Sequence, residues 1–139
     1  MKLYRHFSEA PLDMWPWPNF LPNEYRLSCP CCGELYLDER YMDAVQKVRE
    51  LLGKPVRLNS GHRCPIHNAH VGGAPLSEHK RIAFDISIIG QDRGDLVRAC
   101  KDAGFSSFGG YQTFLHTDLR PGRRWFGNEK ARKLWTGVL

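Results

Sequence analysis

Residues 60–80, SGHRCPIHNAHVGGAPLSEHK, show neither the period of a helix nor the alternation of a strand. They are rich in Gly, Pro, Ser and His and read as a long functional loop. A chain of 139 residues has material for one domain and one core, so such a loop must be held by regular elements on either side. Upstream, the spacing predicts a helix from about Asp38 to Leu52. Asp38 is its cap, Met42, Val45, Val48, Leu51 and Leu52 form its apolar face, and Gly53 and Pro55 stop it. A short strand follows at Val56–Asn59. Downstream, Ala83–Ile89 alternates as a strand. Asp92 then caps a helix over Arg93–Ala103 with Leu96, Val97 and Cys100 inward and Gly104 as its stop. Strands are expected at Phe108–Tyr111 and Phe114–Asp118.

Residues 1–28 read as an irregular arm, because Pro16, Pro18 and Pro22 forbid a regular helix. The aromatic content of that arm, Trp15 and Trp17 included, favours packing across the domain over exposure to water. Residues 121–139 form a basic tail that ends in a short helix or frays. The order helix, strand, loop, strand, helix, strand, strand predicts a small α+β domain over 1–139, with a largely antiparallel sheet flanked by two main helices.

Composition narrows the function classes. Twenty Lys and Arg against fifteen Asp and Glu give +5, a balance that suits nucleic acid, anionic membranes or anionic wall polymers without choosing among them. Neither a basic recognition helix nor interleaved aromatic and basic strands is present, so no nucleic-acid partner is expected. No apolar run approaches the ~18 residues of a membrane span, and the N-terminal segment lacks the features of a secretory signal. Five cysteines cannot all pair within one chain, and a reducing compartment tilts cysteine clusters toward metal or free thiols.

Two constellations carry chemistry. His79, Asp85 and His116 supply two imidazoles and a carboxylate, the donor set of a catalytic zinc ion with a fourth position open. Cys29, Cys32, Cys64 and His67 have the types and paired spacings of a second, structural Cys3His zinc site, in which Cys31 could replace either neighbour. A Cys29–Cys64 or Cys32–Cys64 disulfide and reduced, metal-free thiols are the competing readings. His6, His62 and His70 read as non-ligands, and Cys100 as a buried helix residue.

The motifs Ser60-Gly61-His62-Arg63, Asn68 with Val71-Gly72-Gly73, Ser77-Glu78-His79 through Asp85, and His116-Thr117-Asp118 occur in that order. Together they resemble the zinc D-alanyl-D-alanine carboxypeptidase and murein endopeptidase family, whose fold is shared with the hedgehog signalling domain. The likeness runs from WPWPNF through the CPCCGE block to RRW, nearly the whole chain, and is greatest to short members found in phage and gene-transfer particles. In one departure, Asp85 follows His79 one position sooner than in the family pattern, and the intervening glycine is missing. The preserved Ala83-Phe84-Asp85-Ile86 order assigns the loss to the loop; a shift of strand register would turn Asp85 to the wrong face.

The resemblance implies zinc held by His79, Asp85 and His116, with Arg63 stabilising an oxyanion or gripping a substrate carboxylate. Asn68 and Ser77 would orient substrate or loop, and His62, in the motif's tyrosine-like place, would line the cleft. Thr113 and Phe114 stand where relatives carry an acid or histidine, so the nearest carboxylate is Asp118, on the same strand face as His116. Asp118 would accept the proton of the water or orient the imidazole. The implied activity is hydrolysis of D-amino-acid-containing bonds in peptidoglycan stem peptides or cross-links. A catalytically inactive zinc-containing binding module is the alternative. Expected partners are peptidoglycan peptides and phage or gene-transfer-particle components, met after release from the cytoplasm or as part of a particle.

Overall fold

In a computed structural model that describes residues 1–23 and 26–139, the first long helix begins where its cap predicts. The Asp38 carboxylate accepts a hydrogen bond from the Arg40 backbone N–H, α1 runs Glu39–Leu52, and Gly53 ends it in the left-handed conformation. Its inward face is Tyr41, Met42, Ala44, Val45 and Val48. The second long helix, Arg93–Asp102, is capped by Asp92 and buries Leu96, Val97, Ala99 and Cys100 against α1.

The arm is more ordered than its prolines suggest. Strand β1 (Lys2–Tyr4) pairs antiparallel with β2 (Leu35–Leu37), and both precede α1. The Trp17 indole donates to Asp43 on α1 at 2.8 Å, and Asn19 and Gln46 bond each other, so the arm does pack across the first helix. Of the expected irregular arm, Glu24 and Tyr25 lie outside the described residues.

The main sheet contains β3 (Leu58–Ser60), β4 (Phe84–Ser87), β5 (Ser107–Gly110), β6 (Phe114–Asp118) and β7 (Arg124–Phe126), in the spatial order β3-β4-β6-β5-β7. All neighbours are antiparallel except β5 and β7, which run parallel. Side-chain alternation splits the sheet into two chemistries. Phe84, Ile86, Leu115 and Phe108 are fully buried, and the Phe84 ring meets Tyr41 of α1 and Phe105 edge-on. The opposite face carries Asp85 and, directly across from it in register, His116.

One segment departs from the sequence reading, and the tail takes the helical one of its two expected forms. The 60–80 loop contains a short helix, α2 (Pro65–His70), with the Cys64 sulfur at its N-terminus accepting from the His67 N–H; the two long helices around it are therefore α1 and, at Arg93–Asp102, α3. The basic tail does not fray: after β7 it forms α4 (Glu129–Trp135), whose Trp135 is fully buried and donates its indole N–H to the Tyr111 carbonyl at 2.8 Å. Among the described residues, no helix is long and apolar enough to cross a membrane.

Candidate active site

The polar sheet face gathers His79, Asp85 and His116. Asp85 comes from β4 and His116 from β6, while His79 sits in a single turn of 3-10 helix, Glu78–Lys80, that folds over them. Ser77 caps that turn, its hydroxyl accepting from the His79 N–H at 3.2 Å. Residues 81–83 join this turn to β4, and Asp85 shares a face with His116.

Three atoms meet here: His79 Nε2 and Asp85 Oδ1 are 3.1 Å apart, His116 Nδ1 and Asp85 Oδ1 3.1 Å, and the two imidazole nitrogens 3.2 Å. Their other contacts fix which nitrogens carry protons. His79 Nδ1 faces the Gly61 carbonyl at 2.7 Å and must donate to it; His116 Nε2 faces Asp118 Oδ2 at 2.7 Å and donates likewise. In neutral imidazoles that leaves lone pairs on His79 Nε2 and His116 Nδ1, beside a carboxylate oxygen, with no proton among the three. Such a triangle calls for a cation. Its edges match the roughly 3.3 Å separation of nitrogen and oxygen ligands around tetrahedral zinc with ~2.0–2.1 Å bonds, so the residues fit a metal ion.

Burial opposes the Asp85 carboxylate, but the electrostatic pull of His79 and His116 outweighs it and holds its pKa far below the usual range. Burial likewise opposes a charged His116, yet the hydrogen bond to Asp118 and the negative charge of Asp85 raise its pKa. Positive charge is favoured at the centre of the triangle.

Asp118 lies behind His116, fully buried, and is not among the residues that line the cleft. Arg120 grips it through Nε at 2.9 Å and Nη2 at 2.6 Å. Burial is again overcome, here by His116 and Arg120, and the carboxyl stays ionised well below its ordinary range. Its Oδ2 holds the far nitrogen of the His116 imidazole, the position of an orienting partner.

The cleft beside the triangle has a volume of about 640 Å3. One wall is Arg63, Gly72–Ala74 and Leu76–Glu78; the other is Tyr111, Phe114, Arg120, Arg123 and Trp125. Arg63 is half-buried, and burial lowers its pKa against the opposing pull of Asp85. Its Nε is buried and without a hydrogen-bond partner among the described residues. The Trp125 indole packs on His116 with ring centroids 5.0 Å apart and donates to the Tyr111 hydroxyl at 3.0 Å. That packing requires Gly109 on β5, since a Cβ there would lie 2.3 Å from the indole.

Asn68 does not line the cleft. It is buried in α2, and its side-chain amide donates to the Ala74 carbonyl at 2.9 Å while its backbone carbonyl accepts from the Gly73 N–H at 2.8 Å. It shapes the glycine turn that forms the wall. His62 is not in the cleft either: fully buried, it bridges the Arg81 carbonyl and Glu34. Arg120, Arg123 and Trp125 are cleft residues to which the sequence assigns no role; Arg123 and Trp125 lie in the Arg-Arg-Trp string of the tail, and Arg120 ends the FLHTDLR stretch.

The second cluster forms with one change of member. Cys29, Cys31, Cys32 and Cys64 converge, all four sulfurs within 4.8 Å of one another, and His67 is not among them. The helix starting at Pro65 turns the His67 backbone N–H toward the Cys64 sulfur.

A family model described as Peptidase M15 matches residues 18–118, most of the chain and all three members of the triangle. No curated protein matches the chain.

Proposed function

The chain belongs to the Peptidase M15 family of metallopeptidases, and on that premise we propose that it hydrolyses D-amino-acid-containing bonds of peptidoglycan stem peptides or cross-links, as a carboxypeptidase or endopeptidase. The observation that carries this reading is the convergence of His79, Asp85 and His116 in an arginine-lined cleft. A zinc ion held there supplies Lewis-acid polarisation of a carbonyl and acidifies water at neutral pH.

The chain's own residues do the rest. Arg63 and Arg123 give the cleft the charge to bind a peptide carboxylate, and the Arg63 fork donates to oxygen as negative charge develops on it. Besides Asp85, Glu78 is the only carboxylate among the described residues that line the cleft. It takes the proton of the attacking water and passes it to the amine that leaves when the C–N bond breaks. Asp118 fixes the His116 tautomer, and Ser77 fixes the turn that bears both Glu78 and His79.

The test is incubation of zinc-loaded protein with stem peptides ending in D-Ala-D-Ala and with cross-linked dimers, followed by mass spectrometry beside His79→Ala. Release of D-Ala identifies a carboxypeptidase and resolution of dimers an endopeptidase. Failure to cleave either by folded, zinc-loaded protein overturns the reading and favours a binding module.

A further inference from the structure

The peptidase chemistry makes no use of the cysteines. We propose that Cys29, Cys31, Cys32 and Cys64 form a tetrathiolate site for a structural zinc ion, independent of the imidazole–carboxylate centre. Cys31 Sγ lies 3.4 Å from Cys29 Sγ and 3.6 Å from Cys64 Sγ. A tetrahedron with Zn–S bonds of ~2.3 Å has edges of roughly 3.8 Å, so these sulfurs are close to the separation that one shared ion imposes. All four are thiols, and a soft all-sulfur set selects zinc over calcium or magnesium.

The backbone presents the set as metal sites do. Three sulfurs come from one tight turn, in which the Gly33 N–H donates to the Cys29 carbonyl at 2.8 Å and the Cys29 N–H to the Glu34 carbonyl at 2.7 Å. The fourth arrives from the start of α2, far along the chain. Binding transfers one proton from each thiol to solvent and leaves a site of net negative charge. Arg26 and His6 line the hollow beside the turn. Cys64 directly follows Arg63 in the chain, so the ion would tie the N-terminal arm to the cleft wall. It would position Arg63 and take no part in the chemistry.

The experiment uses the full chain purified without added zinc. Metal per chain is measured by mass spectrometry for wild type, Cys31→Ser, Cys64→Ser, His67→Ala and His79→Ala. In parallel, an organomercurial titrates the thiols of the folded wild-type protein while a chromophoric chelator reports released zinc. The expected result is two zinc ions per chain, one lost in either cysteine variant, the other lost in His79→Ala, and both kept in His67→Ala. Thiol titration of wild type should release one zinc per chain, an outcome that does not depend on any variant folding. Cobalt-substituted wild type should show a thiolate-to-cobalt charge-transfer band that persists in His79→Ala. Release of no zinc on thiol titration, or a disulfide among these cysteines in the purified chain, overturns the proposal. Because the band is read in His79→Ala, its absence would defeat this site and leave the peptidase reading untouched.

Discussion

The two donor clusters are held in opposite ways. His79, Asp85 and His116 are all buried, two of them on paired strands, and each imidazole has its outer nitrogen engaged by a protein acceptor, the Gly61 carbonyl or Asp118. The cysteine cluster sits on a turn and a helix start; Cys31 and Cys32 are exposed, and the two sulfur contacts of Cys31 are with other members of the cluster. One site is preorganised by the sheet, so its ion adds reactivity to a scaffold already in place. In the other, the ion would itself be the cross-link, and metal binding would merge with folding.

This contrast can be broken most severely at Asp85. Asp85→Ala removes a donor and leaves two lone pairs facing each other; the expected outcome is loss of the metal bound at that centre and of peptidase activity, with zinc at the cysteines retained, as metal analysis and a muropeptide assay will read. Glu78→Gln should separate chemistry from binding: turnover falls by about 10²–10⁴-fold while the zinc content is unchanged, seen by comparing kcat with metal per chain.

Asp118→Asn tests whether the outer partner matters as the sheet-built site implies. Zinc affinity at the His79 centre should fall by roughly 10–100-fold, measured by competition with a chelator. The same variant has a pH signature. Asp118 has a depressed pKa in the folded chain, so its stabilising contribution is fully present above the ordinary carboxylate range and is lost progressively as pH falls from that range through the depressed native value. The wild-type-minus-variant difference in unfolding free energy should therefore be level at neutral pH and shrink in acid. The smallest effect is expected away from both clusters. Asp38→Ala removes the α1 cap and should lower stability by about 1 kcal/mol in chemical denaturation, with both zinc ions retained.

What the sequence made legible follows from where local signals sufficed. Asp38, Gly53 and Asp92 mark helix ends by capping chemistry that acts within a few residues, and α1 and α3 lie where those residues place them. The alternation around Asp85 is legible because β4 sends Phe84 and Ile86 into the core and turns Asp85 to the opposite, polar face. The β1–β2 pairing left no such trace, since each strand is three residues long and its partner is remote in sequence. Helix α2 was hidden for want of an apolar face: Ile66 is 80% exposed. Strand parity placed Asp118 beside His116 but could not show that Arg120, two residues on, would bind it from behind. The Cys64–His67 spacing resembles a ligand pair, but the helix that starts at Pro65 brings only Cys64 to the cluster.

Gly61 joins the arm to the metal centre by having no side chain. A Cβ there would fall 2.8 Å from the Arg26 carbonyl oxygen and 2.9 Å from Leu27 Cα, and the next residue donates its N–H to the Leu27 carbonyl. The same glycine offers its own carbonyl to His79 Nδ1. Anyone trimming this chain toward a minimal enzyme should therefore treat residues 26–28 as belonging to the metal site. Cutting after them removes the backbone against which Gly61 is pressed, and with it the fixed angle at which an imidazole is presented.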